Sequence, residues 1–117
     1  MDRAALLRVS CRHLEQAASD AEIAAALLVL TDWMVENGKL VRTFRFRDYH
    51  QTLAFVNAIA DMIHREDHHP ELIVGYNRCT VRYDTHSVNA GKGGLSENDF
   101  ICAAKIDDIF SRLFSVT

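Results

Sequence analysis

The dipeptide Asn37-Gly38 constrains this chain more than any other feature. It separates two β-prone runs, Trp33 to Glu36 and Lys39 to Arg47. A two-residue hairpin turn of the favoured hand needs positive φ at its central residues, and Asn and Gly meet that need at the least steric cost. The two runs are therefore expected to pair as an antiparallel ribbon. Alternation along the second run puts Leu40, Phe44 and Phe46 on one face and Val41, Thr43, Arg45 and Arg47 on the other. The apolar face must be covered by other elements. Arg42, Arg45 and Arg47 decorate the ribbon, so its opposite face is expected to be wet except at a contact between subunits.

The covering elements read as helices. Ser19-Asp20 forms an N-cap ahead of the Ala/Leu-rich run Ile23 to Leu28, with Glu22 in the first turn where the helix dipole favours an anion. Asp48 caps a second helix, in which Leu53, Val56, Ile59, Ala60 and Ile63 recur at three- and four-residue steps. Pro70 disfavours helical backbone at His69, which predicts that this helix runs from Tyr49 to Glu66. Leu72-Ile73-Val74 and Cys79 to Thr85 are predicted as two further strands. Asn89 to Gly94 holds three of the chain's five glycines and is expected to be a flexible loop. Ser96, with Asp99 three residues on, opens a last helix whose buried stripe is Cys102, Ile106, Ile109, Phe110 and Leu113. Leu6, Leu7 and Leu14 suggest a helical extension within residues 1–19. The order α-β-β-α-β-β-α implies an α+β fold: a four-stranded, antiparallel-rich sheet with three helices packed on one face. The whole chain, 1–117, is read as a single domain.

Composition narrows the function classes. At 49% hydrophobic and 25% charged residues the chain is too apolar for intrinsic disorder. Its net charge of −3 is unlike that of a protein built to grip phosphate backbones, so no direct nucleic-acid partner is expected. The longest apolar stretch, Ile23 to Leu30, falls far short of the roughly 20 residues needed to cross a bilayer, and Met1 to Leu7 lacks the pattern of an export signal. Three cysteines with no two close in sequence, Cys11, Cys79 and Cys102, do not resemble a disulfide framework. These features together predict a cytoplasmic protein with no membrane partner.

Six histidines are the conspicuous excess, and four of them lie between His64 and His86. His13 and His50 stand alone and read as ordinary surface residues. His64-Arg65-Glu66-Asp67-His68-His69-Pro70 falls where a helix ends and a proline turns the chain, so its side chains can face a cleft. His86 follows at the end of a later strand, within reach of the helix end. Three readings are open. Polar groups at a helix C-terminus can simply satisfy its last carbonyls. His64 and His68, four residues apart, could share a helix face and hold zinc with Glu66 or Asp67, although Pro70 breaks the geometry and no cysteine stands nearby. In the third reading the imidazoles work as acid and base, since a free imidazole titrates near pH ~6.5. Such a pair suits a dehydration: one group protonates a departing hydroxyl while another removes a proton from the adjacent nitrogen, each transfer contributing roughly 10²–10⁴ in rate. A carbinolamine is the natural substrate, because its nitrogen lone pair already expels the hydroxyl.

The spacing His64, His68-His69-Pro70, Tyr76, His86, Asp99 resembles the signature of the pterin-4a-carbinolamine dehydratases, also called 4a-hydroxytetrahydrobiopterin dehydratases. Trp33, the run Leu40 to Tyr49, Ala54-Phe55 and Gly94-Leu95-Ser96-Glu97-Asn98-Asp99 extend the resemblance over about residues 22 to 114. The resemblance implies a hydro-lyase that converts a 4a-hydroxytetrahydropterin to quinonoid dihydropterin and water, in the recycling of tetrahydrobiopterin. It implies His68 and His86 as acid–base groups and His69 as a pterin-positioning member of the same catalytic set. His64, Asp67, Pro70, Tyr76 and Asp99 are then expected around the substrate, Asp99 doubling as a helix-start residue. Neither a metal nor an organic cofactor is implied, and the assembly is expected to be a homodimer or homotetramer. The chain departs from animal relatives in carrying His64 where an acid is common, Leu72 where an aromatic is common, and a longer loop from Ser87 to Gly94. The alternative to an enzyme is a non-catalytic dimerisation or assembly partner on the same fold.

Overall fold

The computed structural model describes residues 1–114. Its elements in chain order are α1 (Arg3–Arg8), α2 (Asp20–Val29), β1 (Met34–Glu36), β2 (Lys39–Arg45), α3 (Tyr49–Glu66), β3 (Glu71–Val74), β4 (Arg78–Tyr83) and α4 (Glu97–Leu113). The order α-β-β-α-β-β-α is present, preceded by α1, so the described helices number four. The strands form one fully antiparallel sheet in the order β1-β2-β4-β3. Asn37 and Gly38 have φ of 52° and 76°, the left-handed pair that a tight hairpin of this hand requires.

Register explains which side of the sheet is covered. Leu40 faces Tyr83, Arg42 faces Val81 and Phe44 faces Cys79, so these six side chains share one face. Leu40, Phe44, Cys79, Val81 and Tyr83 join Leu30 at the C-cap of α2, Phe55, Ile59 and Met62 of α3, and Ile101, Cys102 and Ile106 of α4 in a single buried cluster. Phe44 and Phe55 rings meet at 4.8 Å, and Phe46 and Phe55 at 5.0 Å. The other face carries Thr43, Arg45, Arg78, Thr80 and Arg82, polar as expected, interspersed with Val41 and the exposed Met34 and Ile73.

Arg42 does not belong to that wet face. It shares the parity of Leu40 and Phe44 and points toward the helices, where it stacks on the rings of Phe44 and Phe110. Its guanidinium donates to Asp107 Oδ1 at 2.6 Å, and the same oxygen accepts from Trp33 Nε1 at 2.9 Å. A buried carboxylate so paired carries little of the cost that an isolated charge would.

α3 spans the residues expected but is rotated from the expected stripe. The buried positions are Thr52, Phe55, Ile59, Met62 and Glu66, whereas Leu53 and Ala60 are exposed. The two polar members are satisfied: Thr52 Oγ1 donates to the carbonyls of Asp48 and Tyr76, and Glu66 pairs with Lys105 at 2.8 Å. In α4, Cys102 and Ile106 are buried and Ile109 and Phe110 partly so, but Leu113 is 61% exposed because the helix runs past the edge of the core there. Residues 89–94 make consecutive tight turns, with Gly91 N–H and Gly93 N–H donating to the carbonyl of Val88, which is itself buried.

Candidate active site

The site forms where the end of α3, the end of β4 and the start of α4 meet. α3 stops at Asp67, whose left-handed φ of 51° turns the chain outward, and its N–H donates to the carbonyl of His64. Pro70 then holds His69 in extended backbone, and His68 is carried back over the start of α4. There Ser96 caps α4, and Asp99 closes a capping box by accepting from Ser96 N at 2.9 Å. Just beyond β4, Thr85 bridges Gly94 through two backbone hydrogen bonds and leaves His86 at the tip.

His68 is the organised member. Its Nε2 lies 2.6 Å from Asp99 Oδ1, and Asp99 is completely buried. A carboxylate only accepts, so Nε2 carries the proton and Nδ1 is the nitrogen left for exchange. The imidazole stacks on Tyr83 at 5.1 Å, and Tyr83 O–H donates to the His68 carbonyl at 3.2 Å. Asp99 Oδ2 is held by Thr85 Oγ1 at 3.0 Å, and Thr85 Oγ1 lies 2.7 Å from Ser96 Oγ. Burial alone would lower the pKa of His68, but the hydrogen bond and charge of Asp99 outweigh it and hold the pKa above the ordinary imidazole value.

A cavity of about 450 Å³ opens onto this dyad. It lies within the roughly 300–1,000 Å³ of small-molecule sites. His68, His69 and His86 all line it, with Asp67, Asp84 and Thr85 between them. His69 and His86 form its wet rim, with side chains 66% and 89% exposed. His86 Nε2 is 3.6 Å from Asp84 Oδ1, and His69 Nε2 is 3.9 Å from Asp67 Oδ1, so each rim imidazole has a carboxylate within reach.

The remaining expected residues separate. Asp99 supports the cavity from below, through His68, and is not part of its wall. Pro70 shapes the turn without lining the cavity. Tyr76 lies outside it, its ring 66% exposed and stacked on Tyr49 at 6.4 Å. His64 is exposed on α3 and does not line the cavity, while the Nε2 of His68 is taken by Asp99. His64 and His68 are therefore not drawn together as a metal pair. Among the described residues, no group of three or more His, Cys, Asp or Glu side chains is placed to hold a metal ion.

One whole wall departs from the sequence reading: Leu14, expected in a helical extension, lies beyond the end of α1, and His13, expected as an ordinary surface residue, lines the cavity. Cys11, Arg12, His13 and Leu14, in the extended chain between α1 and α2, form this wall. Asn98 holds this segment like a short strand partner, accepting from Arg12 N at 3.2 Å and donating to Arg12 O at 2.6 Å. Glu66 Oε1 accepts from Cys11 N at 2.8 Å, and Ser87 Oγ donates to the carbonyl of Leu14.

Comparison with known proteins bears on what such a cavity serves. A family model described as pterin 4 alpha carbinolamine dehydratase matches residues 16–109. A protein of Bdellovibrio bacteriovorus, provisionally named as such a dehydratase, is 52% identical over 115 residues, covering 98% of this chain and 96% of its own. A protein of Chromobacterium violaceum with the same provisional name is 44% identical over 109 residues, covering 92% and 97%. The crystal structure of a transcriptional coactivator/pterin dehydratase from Brucella melitensis superposes with a TM-score of 0.72 at 30% identity, over 80% of this chain and 98% of that one.

Proposed function

The chain belongs to the pterin 4 alpha carbinolamine dehydratase family, and on that premise we propose that it is a hydro-lyase acting on a 4a-hydroxytetrahydropterin. Water leaves carbon 4a, the neighbouring ring nitrogen loses its proton, and quinonoid dihydropterin results. The observation that carries this reading is the 2.6 Å contact between His68 Nε2 and the buried Asp99, on the floor of a cavity that His69 and His86 also line.

The chemistry follows from that contact. Asp99 favours the protonated ring of His68, so His68 holds a proton at Nδ1 and gives it to the departing hydroxyl. Without that transfer the carbinolamine would have to expel hydroxide. His86, on the rim, takes the proton from the ring nitrogen, and its exposure lets that proton pass to water. His69 and Asp67 contact the polar edge of the pterin. Asp99 is a positioning residue, and Pro70 fixes the turn that presents His68 and His69. His64 and Tyr76 lie away from the cavity wall and carry no step. The conversion needs no redox change, since water is lost and no electrons are transferred. A homo-oligomer, through the open sheet face on which Met34 and Ile73 are exposed, and a cytoplasmic location complete the proposal.

Purified protein, dialysed against a chelator, is mixed with a freshly generated 4a-carbinolamine, and loss of water is followed by absorbance. The proposal expects clear acceleration over the uncatalysed reaction. No acceleration overturns it and leaves the non-catalytic partner reading, which is favoured by likeness to the Brucella protein, a transcriptional coactivator/pterin dehydratase.

A further inference from the structure

The dehydration leaves one reactive pair beside the cavity unused. Cys11 Sγ and Cys102 Sγ are 3.4 Å apart although 91 residues separate them, and both are free thiols. Cys102 is fully buried in α4, whereas Cys11 is partly exposed and lines the cavity wall. We propose that Cys11 and Cys102 form a redox-active dithiol, which a small hydroperoxide converts to a disulfide that clamps the N-terminal segment to α4 along one wall of the cavity. The site goes beyond the proposed dehydration and does not depend on it. Cys11 also lies outside the residues 16–109 matched by the family model.

Geometry supports the bond. A disulfide holds its sulfurs about 2.05 Å apart, so the pair must close by roughly 1.4 Å. Cys11 lies in extended chain outside any helix or strand, where such a shift breaks no regular hydrogen-bond ladder. The bonds that hold Cys11 in place, from its N–H to Glu66 and from Arg12 to Asn98, bring it to α4 before any oxidation. The third cysteine, Cys79, is fully buried and does not line the cavity, so it serves as an internal control.

The electrons balance with the peroxide alone. Cys11 Sγ, the sulfur reached from the cavity, attacks the O–O bond, giving a sulfenic acid and one water or alcohol. Cys102 Sγ then displaces the sulfenic oxygen, which leaves as water with the proton released by the thiol. Two thiols lose two electrons, and the peroxide gains them. Within the pair, the hydrogen bond from Cys11 favours ionisation of Cys102 against the opposing effect of burial, and the nearby His68 ring adds to it. The same hydrogen bond, with burial, pushes the Cys11 thiol up. Cys11 oxidation is therefore the slow step and the closing step is fast.

The test treats the full chain with hydrogen peroxide, removes the excess, and maps thiols under non-reducing conditions. Free thiols should fall from three to one. The monomer mass should drop by two hydrogens, and a cross-linked peptide pair should contain Cys11 and Cys102. Dithiothreitol should reverse all three changes. The oxidised protein should melt about 5 °C or more above the reduced one, and amide exchange along residues 9–18 should slow. Cys11→Ser should abolish the mass loss, the Tm shift and the slowed exchange, and Cys102→Ala should leave Cys11 able to form only mixed or intermolecular disulfides. Three thiols remaining, a sulfinic acid at Cys11 without a cross-link, or covalent dimers in the unsubstituted chain would each overturn the proposal.

Discussion

Asp99→Asn isolates the electrostatic half of the dyad, because it keeps the side-chain shape and removes the charge. Hydrogen bonds to charged groups contribute about 1.5–3 kcal/mol. The substitution removes the charge that holds the His68 pKa up against burial, so that pKa should fall. The sign for stability follows from the raised pKa of His68 in the folded chain. Its contribution is fully present below the unfolded value of about 6.5, and it is lost as pH rises through the folded pKa. The variant should therefore lose most stability in mildly acidic solution and less in alkali. A pH-independent loss is superimposed, because Asp99 also completes the capping box at Ser96 and accepts from Thr85. The assay is an NMR titration of the His68 ring protons in both proteins, with urea unfolding below the unfolded value of about 6.5 and again above the titration midpoint that the NMR gives for the folded chain. An unchanged His68 midpoint, or a stability loss equal at both pH values, would refute the reasoning.

Other outcomes follow from the same contacts. His86→Ala should lower turnover by at least ~10², while His69→Ala should raise KM more than it lowers kcat; steady-state kinetics on both variants separates exchange of protons from positioning. Phe55→Ala removes the ring that meets Phe44, Phe46 and Phe110, and should cost about 3–5 kcal/mol in denaturant unfolding. Burial would raise the pKa of Glu66, but the hydrogen bonds from Lys105 and Cys11 N prevail and lower it. Its contribution is thus present above the unfolded value near pH ~4.3 and fades as pH falls through the folded pKa. The stability gap between the unsubstituted chain and Glu66→Gln should narrow over that acidic range.

Local chemistry made much of the fold legible. Asn37-Gly38 forms the turn its residue types demand, and the caps at Ser19, Asp48 and Ser96 begin the helices they were expected to begin. The phase of α3 was not legible, because the helix carries two neighbouring apolar stripes that share Ile59. Periodicity alone does not choose between them. The stripe that is buried includes Thr52 and Glu66, whose partners come from distant chain. The charge of Arg42 suggests water, but its strand parity with Leu40 and Phe44 turns it toward the helices. At the site, His68, His69 and His86 could be found by spacing around a proline and a strand end. The cavity wall from Cys11 to Leu14 could not: the spacing of Leu6, Leu7 and Leu14 suggests a helix, whereas the segment is extended and held by contacts with Glu66, Ser87 and Asn98 from distant chain.

The most direct measurement compares the unsubstituted protein with His68→Ala in a stopped-flow assay of water loss from a 4a-hydroxytetrahydropterin, at equal protein concentration and with folding verified by circular dichroism. A ring that donates the leaving-group proton from its seat on Asp99 predicts a fall in turnover of at least ~10². A folded variant that dehydrates the carbinolamine as fast as the unsubstituted chain would contradict it.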